Sequence, residues 1–137
     1  MRRRPAVATL AAVAVIATLA AWSGARPIAG AAAKLKPAPT NLLVYAQEWS
    51  LWPSRSRLPA GTVYVELWNR GQDMHDLRIR DVNARGQMVG PIDGAVKVTP
   101  SGGISYATWH LTRGRYMIYC SMPGHFQKGM HAHITVT

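Results

Sequence analysis

The sequence predicts an all-β domain, a Greek-key two-sheet β-sandwich. Three observations carry that expectation. From residue 41 onward, short β-branched and aromatic runs alternate with Gly, Pro and Asn, the punctuation of strands and turns. No segment after residue 40 shows a convincing helical period. About seven such runs fit into fewer than 100 residues, the density of a sandwich rather than of alternating strands and helices.

Taken in order, the predicted strands are Leu42–Glu48, Thr62–Trp68, His75–Arg80, Val96–Val98, Ile104–Leu111, Arg115–Cys120 and Met130–Val136. The breaks fall at Pro59-Ala60-Gly61, Asn69-Arg70-Gly71, Gly90-Pro91, Pro100-Ser101-Gly102-Gly103, Arg113-Gly114 and Met122-Pro123-Gly124. Neighbours on a strand point to opposite faces, so alternation assigns an inward set to each run. Val63, Val65 and Leu67 form one apolar face. His75, Leu77 and Ile79 point inward, with Asp76, Arg78 and Arg80 outward. Tyr116, Ile118 and Cys120 share a face, as do Met130, Ala132, Ile134 and Val136, which leaves His131 and His133 facing solvent. His110 alternates with Trp109 and Leu111 and is also expected outside. His75, Cys120 and Met130 therefore all reach the core side, each at the end of its strand.

The chain divides into three parts. Residues 1–25 begin Met1-Arg2-Arg3-Arg4, continue in an uncharged run from Ala6 to Trp22, and end in Ser23-Gly24-Ala25. That order reads as a signal peptide cut after Ala25 or as an N-terminal membrane anchor. If retained, residues 6–22 are the membrane tether, with Trp22 at the interface. Residues 26–40 are an Ala/Pro/Lys-rich linker without apolar periodicity. Residues 41–137 are the folded domain, with no internal repeat. The signal implies an exported protein, periplasmic, secreted or held on the outer side of the cytoplasmic membrane.

Formal net charge is +10, and removal of residues 1–25 with their three arginines leaves it near +7. Such a charge favours encounters with acidic surfaces. Nucleic acid is a poor candidate, because the basic residues are scattered along an exported chain. A monomer whose protein partner carries an acidic docking surface is the expectation. The single cysteine, Cys120, forbids an intrachain disulfide. A lone thiol in an oxidising compartment calls for burial or occupation.

The segment Tyr119-Cys120-Ser121-Met122-Pro123-Gly124-His125-Phe126-Gln127-Lys128-Gly129-Met130 brings a thiol, an imidazole and a thioether within eleven residues, spaced Cys-x4-His-x4-Met. Pro123-Gly124 and Gly129 supply the turns that let such a loop double back. With His75 the set becomes two imidazoles, one thiolate and a Met, the donors of a type 1 (blue) copper electron-transfer site. Zinc would take a harder fourth ligand or another Cys, and iron–sulfur or dinuclear copper centres need more than one Cys. Met122 is the alternative to Met130 as the thioether. His131-Ala132-His133 has the look of a second metal site, against which stands its outward orientation.

The loop resembles that of the cupredoxin family, single-domain blue copper proteins such as plastocyanin, azurin and auracyanin. The likeness extends through Pro59-Ala60-Gly61-Thr62-Val63, Leu67-Trp68-Asn69-Arg70-Gly71, His75-Asp76-Leu77 and Leu111-Thr112-Arg113-Gly114-Arg115-Tyr116. It covers most of residues 42–137. The resemblance implies one copper ion held by His75, Cys120, His125 and Met130, with His125 as the electron port inside an apolar patch of Met122, Pro123 and Phe126. It implies an electron carrier and no enzyme activity. An exported protein that stores or delivers copper without redox turnover is the alternative. The position after the first His is often Asn in this family, where it ties the two ligand loops together; here it is Asp76, whose charge favours Cu(II) and a lower potential.

Overall fold

The computed structural model describes residues 38–137. The signal or anchor expected over 1–25 and all but the last three residues of the 26–40 linker lie outside the described residues. Nine strands make up the regular structure of that region: β1 (Thr40–Gln47), β2 (Ser50–Pro53), β3 (Arg57–Leu58), β4 (Gly61–Asn69), β5 (His75–Asp81), β6 (Gly94–Thr99), β7 (Ile104–Leu111), β8 (Gly114–Tyr119) and β9 (His131–Val136).

The strands form two mixed sheets, ordered β2-β1-β4-β7 and β3-β9-β8-β5-β6. The chain changes sheet five times, on entering and leaving β3, between β4 and β5, between β6 and β7, and again between β7 and β8, so each sheet needs the other to close its core. This is the expected sandwich. β1 runs parallel to β4 with Leu42 opposite Val65 and Val44 opposite Leu67. β4 runs antiparallel to β7 with Val63 opposite Trp109. In the second sheet β8 lies between β5, with Ile79 opposite Ile118, and β9, with Tyr116 opposite Ile134.

The core follows from alternation. Leu42, Val44 and Ala46 from β1 and Val63, Val65 and Leu67 from β4 are buried. They meet Leu77 and Ile79 from β5, Ile118 from β8, and Ile134 and Val136 from β9 in one apolar cluster. Each Val, Leu or Ile side chain among them contributes about 1.5–3 kcal/mol when fully removed from water. The same cluster includes Cys120 and Met130, so the end of the sandwich that holds them is continuous with the hydrophobic core.

Two strands were not legible from the sequence. β2 is an edge strand ending in Pro53, the position where a residue without an N–H is tolerated in a sheet. β3 is two residues long and pairs in parallel with the end of β9. Asp76 corrects the alternation: it is buried, with only 1% of its surface exposed, although the pattern assigned it to solvent. The β5–β8 ladder begins only at Arg78 opposite Tyr119, and the β5–β6 register shifts between His75 and Leu77. The Asp76 carboxylate occupies the place where the ladder has stopped and bonds the chain leaving β8.

Candidate metal centre

His75 opens β5, Cys120 follows β8 directly and Met130 immediately precedes β9. β5 and β8 are neighbours, as are β8 and β9, so three side chains converge at one end of the second sheet. The fourth, His125, comes from the loop between β8 and β9. That loop is tied across its own width. The Cys120 N–H donates to the Met130 carbonyl at 3.1 Å, Met130 N–H to the His125 carbonyl at 3.2 Å, and His125 N–H to the Met122 carbonyl at 3.1 Å. Gly124 and Gly129 have φ of 79° and 102°, the left-handed region that side chains disfavour. These two residues allow the loop to fold back and aim His125 inward.

The ligand atoms of His75, Cys120 and His125 all lie within 4.8 Å of one another. His75 Nδ1 and His125 Nδ1 are 3.2 Å apart, Cys120 Sγ is 3.5 Å from His125 Nδ1, and it is 3.9 Å from His75 Nδ1. Nitrogen and sulfur donors at about 2.0 and 2.3 Å from a common ion in a trigonal set stand roughly 3.5 Å from each other. The triangle has that size. Met130 is fully buried beside it and hydrogen-bonded through its backbone to both Cys120 and His125. Two imidazoles, a thiol and a thioether are the donors of a type 1 copper site, and the residues present fit that ion.

A layer of partners holds the ligands. The Asn69 side chain donates to the carbonyls of Asp73 and Thr99 at 2.7 and 2.9 Å and accepts from Gly71 N–H at 2.9 Å, pinning the loop that delivers His75. Asp76 accepts the Ser121 N–H at 2.6 Å and the Ser121 hydroxyl, and pairs with Arg78 Nε at 2.9 Å. It thus ties the start of β5 to the chain that follows Cys120. His75 Nε2, on the far side of the ring from the cluster, is 3.0 Å from Glu48 Oε1. The Trp49 ring stands edge-on to His125 with centroids 4.9 Å apart, and Lys128 Nζ lies 3.6 Å from the Trp49 centroid.

Electrostatics agree with this architecture. The Cys120 thiol is raised above its ordinary value by burial, so an ion entering the cluster displaces its proton. His125 is lowered, first by burial and then by the neighbouring His75, which keeps its ring neutral and a nitrogen lone pair available. Burial alone would raise Asp76, but the Ser121 hydroxyl and N–H, with Arg78, outweigh it and the carboxyl is lowered. Glu48 is lowered to about 2, chiefly by the Asp73 backbone N–H.

All four expected ligands are brought together. The sequence carries no local signal for Glu48 and Trp49; Glu48 reads there only as the end of a strand. Phe126, expected beside His125, packs its ring on Tyr119 at 5.9 Å and on His131 at 5.1 Å. His131 and His133 are exposed as expected, their ring centroids 6.5 Å apart. His110 is exposed and 3.3 Å from the Thr62 hydroxyl.

No family model matches the sequence, and no curated protein matches it. Solved structures do. An auracyanin from Roseiflexus castenholzii is 20% identical, with a TM-score of 0.59, over 72% of this chain and 97% of that one. Auracyanin A, a blue copper protein from Chloroflexus aurantiacus, is 16% identical, with a TM-score of 0.59, over 73% of this chain and all of that one. Rusticyanin from Thiobacillus ferrooxidans is 24% identical, with a TM-score of 0.58, over 72% of this chain and 77% of that one. The fold is the cupredoxin sandwich, and the resemblance drawn from the residues is matched by the resemblance in three dimensions.

Proposed function

We propose that this chain is a type 1 copper protein that carries single electrons between redox partners outside the cytoplasm, with no catalytic turnover of its own. The observation that carries the reading is the buried triangle of His75 Nδ1, Cys120 Sγ and His125 Nδ1, with Met130 buried in the same core and bonded through its backbone to Cys120 and His125. Copper bound there would supply one-electron chemistry between its cuprous and cupric states. His75, Cys120, His125 and Met130 are the proposed ligands.

The residues supply what such a carrier needs. The ligands sit at the ends of paired strands, and the Asp76 and Asn69 hydrogen bonds hold their loops. Little of the protein has to move when charge changes at the site. His125 is the ligand nearest the surface, with 8% of its area exposed, and Trp49 covers part of its edge. An electron arriving there has a short path inward while water is kept out. The basic N-terminal start followed by an apolar run supports an exported location. Net positive charge supports an acidic partner.

Loading the full chain with Cu(II) tests the reading. An intense visible band from thiolate-to-copper charge transfer is expected, with a reversible one-electron couple in voltammetry. C120S should lose the band and keep the fold, since Ser offers no soft thiolate. A colourless Cu(II) complex of the unsubstituted protein overturns the assignment. A coloured protein that hands its copper rapidly to a chelating acceptor, with no reversible couple, favours storage or delivery.

A further inference from the structure

The turn after β1 reaches across from the first sheet to the His75 ring. His75 is fully buried, and its Nε2 lies 3.0 Å from Glu48 Oε1. The same oxygen accepts the backbone N–H groups of Gln72 and Asp73, each at 2.8 Å. The carboxylate sits in a notch at Gly71. A Cβ built there would overlap both Glu48 carboxylate oxygens and its Cδ. Gly71 has no positive φ, so its lack of a side chain is required by the carboxylate and not by the backbone.

We infer that Glu48 is a positioning residue for the metal centre: seated in the Gly71 notch, it holds His75 in the Nε2–H tautomer with Nδ1 free to ligate, and lowers the reduction potential. This deepens the copper reading and rests on it. A neutral imidazole that donates one N–H presents its lone pair on the other nitrogen. A carboxylate acceptor fixes that choice and makes the ring a stronger donor. His75 Nδ1 is the atom that faces Cys120 Sγ and His125 Nδ1, so the tautomer set by Glu48 is the one the cluster needs. A carboxylate bonded to a ligand favours the more highly charged ion, and hence Cu(II) over Cu(I).

Two substitutions separate charge from position. E48Q removes the charge and keeps an oxygen for the three donors. G71A keeps the charge and fills the notch, so the carboxylate must leave it. In both, the preference for Cu(II) over Cu(I) is expected to fall about tenfold, the scale of losing a ligand's outer partner, which moves the potential up by about 59 mV for one electron. A second readout uses the metal-free full chain: ring-nitrogen chemical shifts should report Nε2–H for His75 in the wild type and E48Q, and a mixture of tautomers in G71A. An unchanged potential in E48Q, or a wild-type His75 protonated on Nδ1, overturns the inference. Absence of the thiolate band in the Cu(II)-loaded wild type would remove the copper reading instead, while the ring shifts still decide whether Glu48 sets the tautomer.

Discussion

Asp76 lies where the fold and the site share one interaction, and its removal should be felt by both. The carboxylate receives the Ser121 N–H, the Ser121 hydroxyl and Arg78 Nε. D76A strips all three of their acceptor. Breaking a fully buried charge pair costs about 3–5 kcal/mol, but the Arg78 side chain is 31% exposed and Ser121 reaches solvent, so water recovers part of the loss. About 2–3 kcal/mol remains, which for a domain of this size lowers Tm by roughly 10–20 °C. D76N keeps an oxygen for the Ser121 N–H and loses the charge opposite Arg78, so about 1 kcal/mol is expected. Urea unfolding of the metal-free chain measures both as a shift in midpoint at constant slope. The pH dependence has a definite sign. The folded-state pKa of Asp76 is lowered from 3.8, so its contribution is complete above the unfolded value and is lost as pH falls through the folded one. The gap between wild type and D76N should therefore be widest near neutrality and close in acid. A D76A protein as stable as the wild type at neutral pH, or a gap that widens as pH falls, refutes the account of this tie.

Two further predictions concern the surfaces around the site. H131A and H133A should leave the visible spectrum of the copper-loaded protein unchanged, because both rings stand on the exposed face of β9, whereas H75A or H125A should remove or transform it; comparable changes in H131A and H125A would show the register misread. Trp49→Ala should slow electron exchange with an acidic protein acceptor several-fold while leaving the band in place, more than F126E does, since the Trp49 ring packs on His125 whereas the Phe126 ring packs on Tyr119 and His131. Stopped-flow oxidation at low and high salt measures this, and raising ionic strength should slow exchange as charges are screened beyond about 8–10 Å.

Most of the fold and the four proposed ligands were legible because they depend on local signals. Alternation placed Leu77, Ile79, Ile118 and Ile134 inside, and their burial follows from apolar side chains on one face of each strand. The Cys-x4-His-x4-Met loop carries its own turn chemistry in Pro123-Gly124 and Gly129. What the sequence hid is non-local. β2 and β3 have four and two residues, too few for a pattern to register, and they exist because β1 and β9 offer them a free edge. Asp76 broke the alternation because a side chain replaced a missing ladder bond, and periodicity counts faces without counting hydrogen bonds.

Glu48 and Trp49 illustrate the limit most clearly. A lone carboxylate at the end of a strand is most often solvated, and nothing in its neighbours marks it otherwise. Its contact with His75 spans 27 positions and two sheets, and it is decided by how the first sheet packs on the second. The consequence is a division of labour. The second sheet and its β8–β9 loop supply every proposed ligand, whereas the turn after β1 supplies the carboxylate at the outer nitrogen of His75 and the indole ring packed on His125. The packing of the two sheets thus fixes the ligand rings as well as the core. A core substitution that shifts one sheet against the other, far from any ligand, should reach the metal centre first through Glu48 and Trp49.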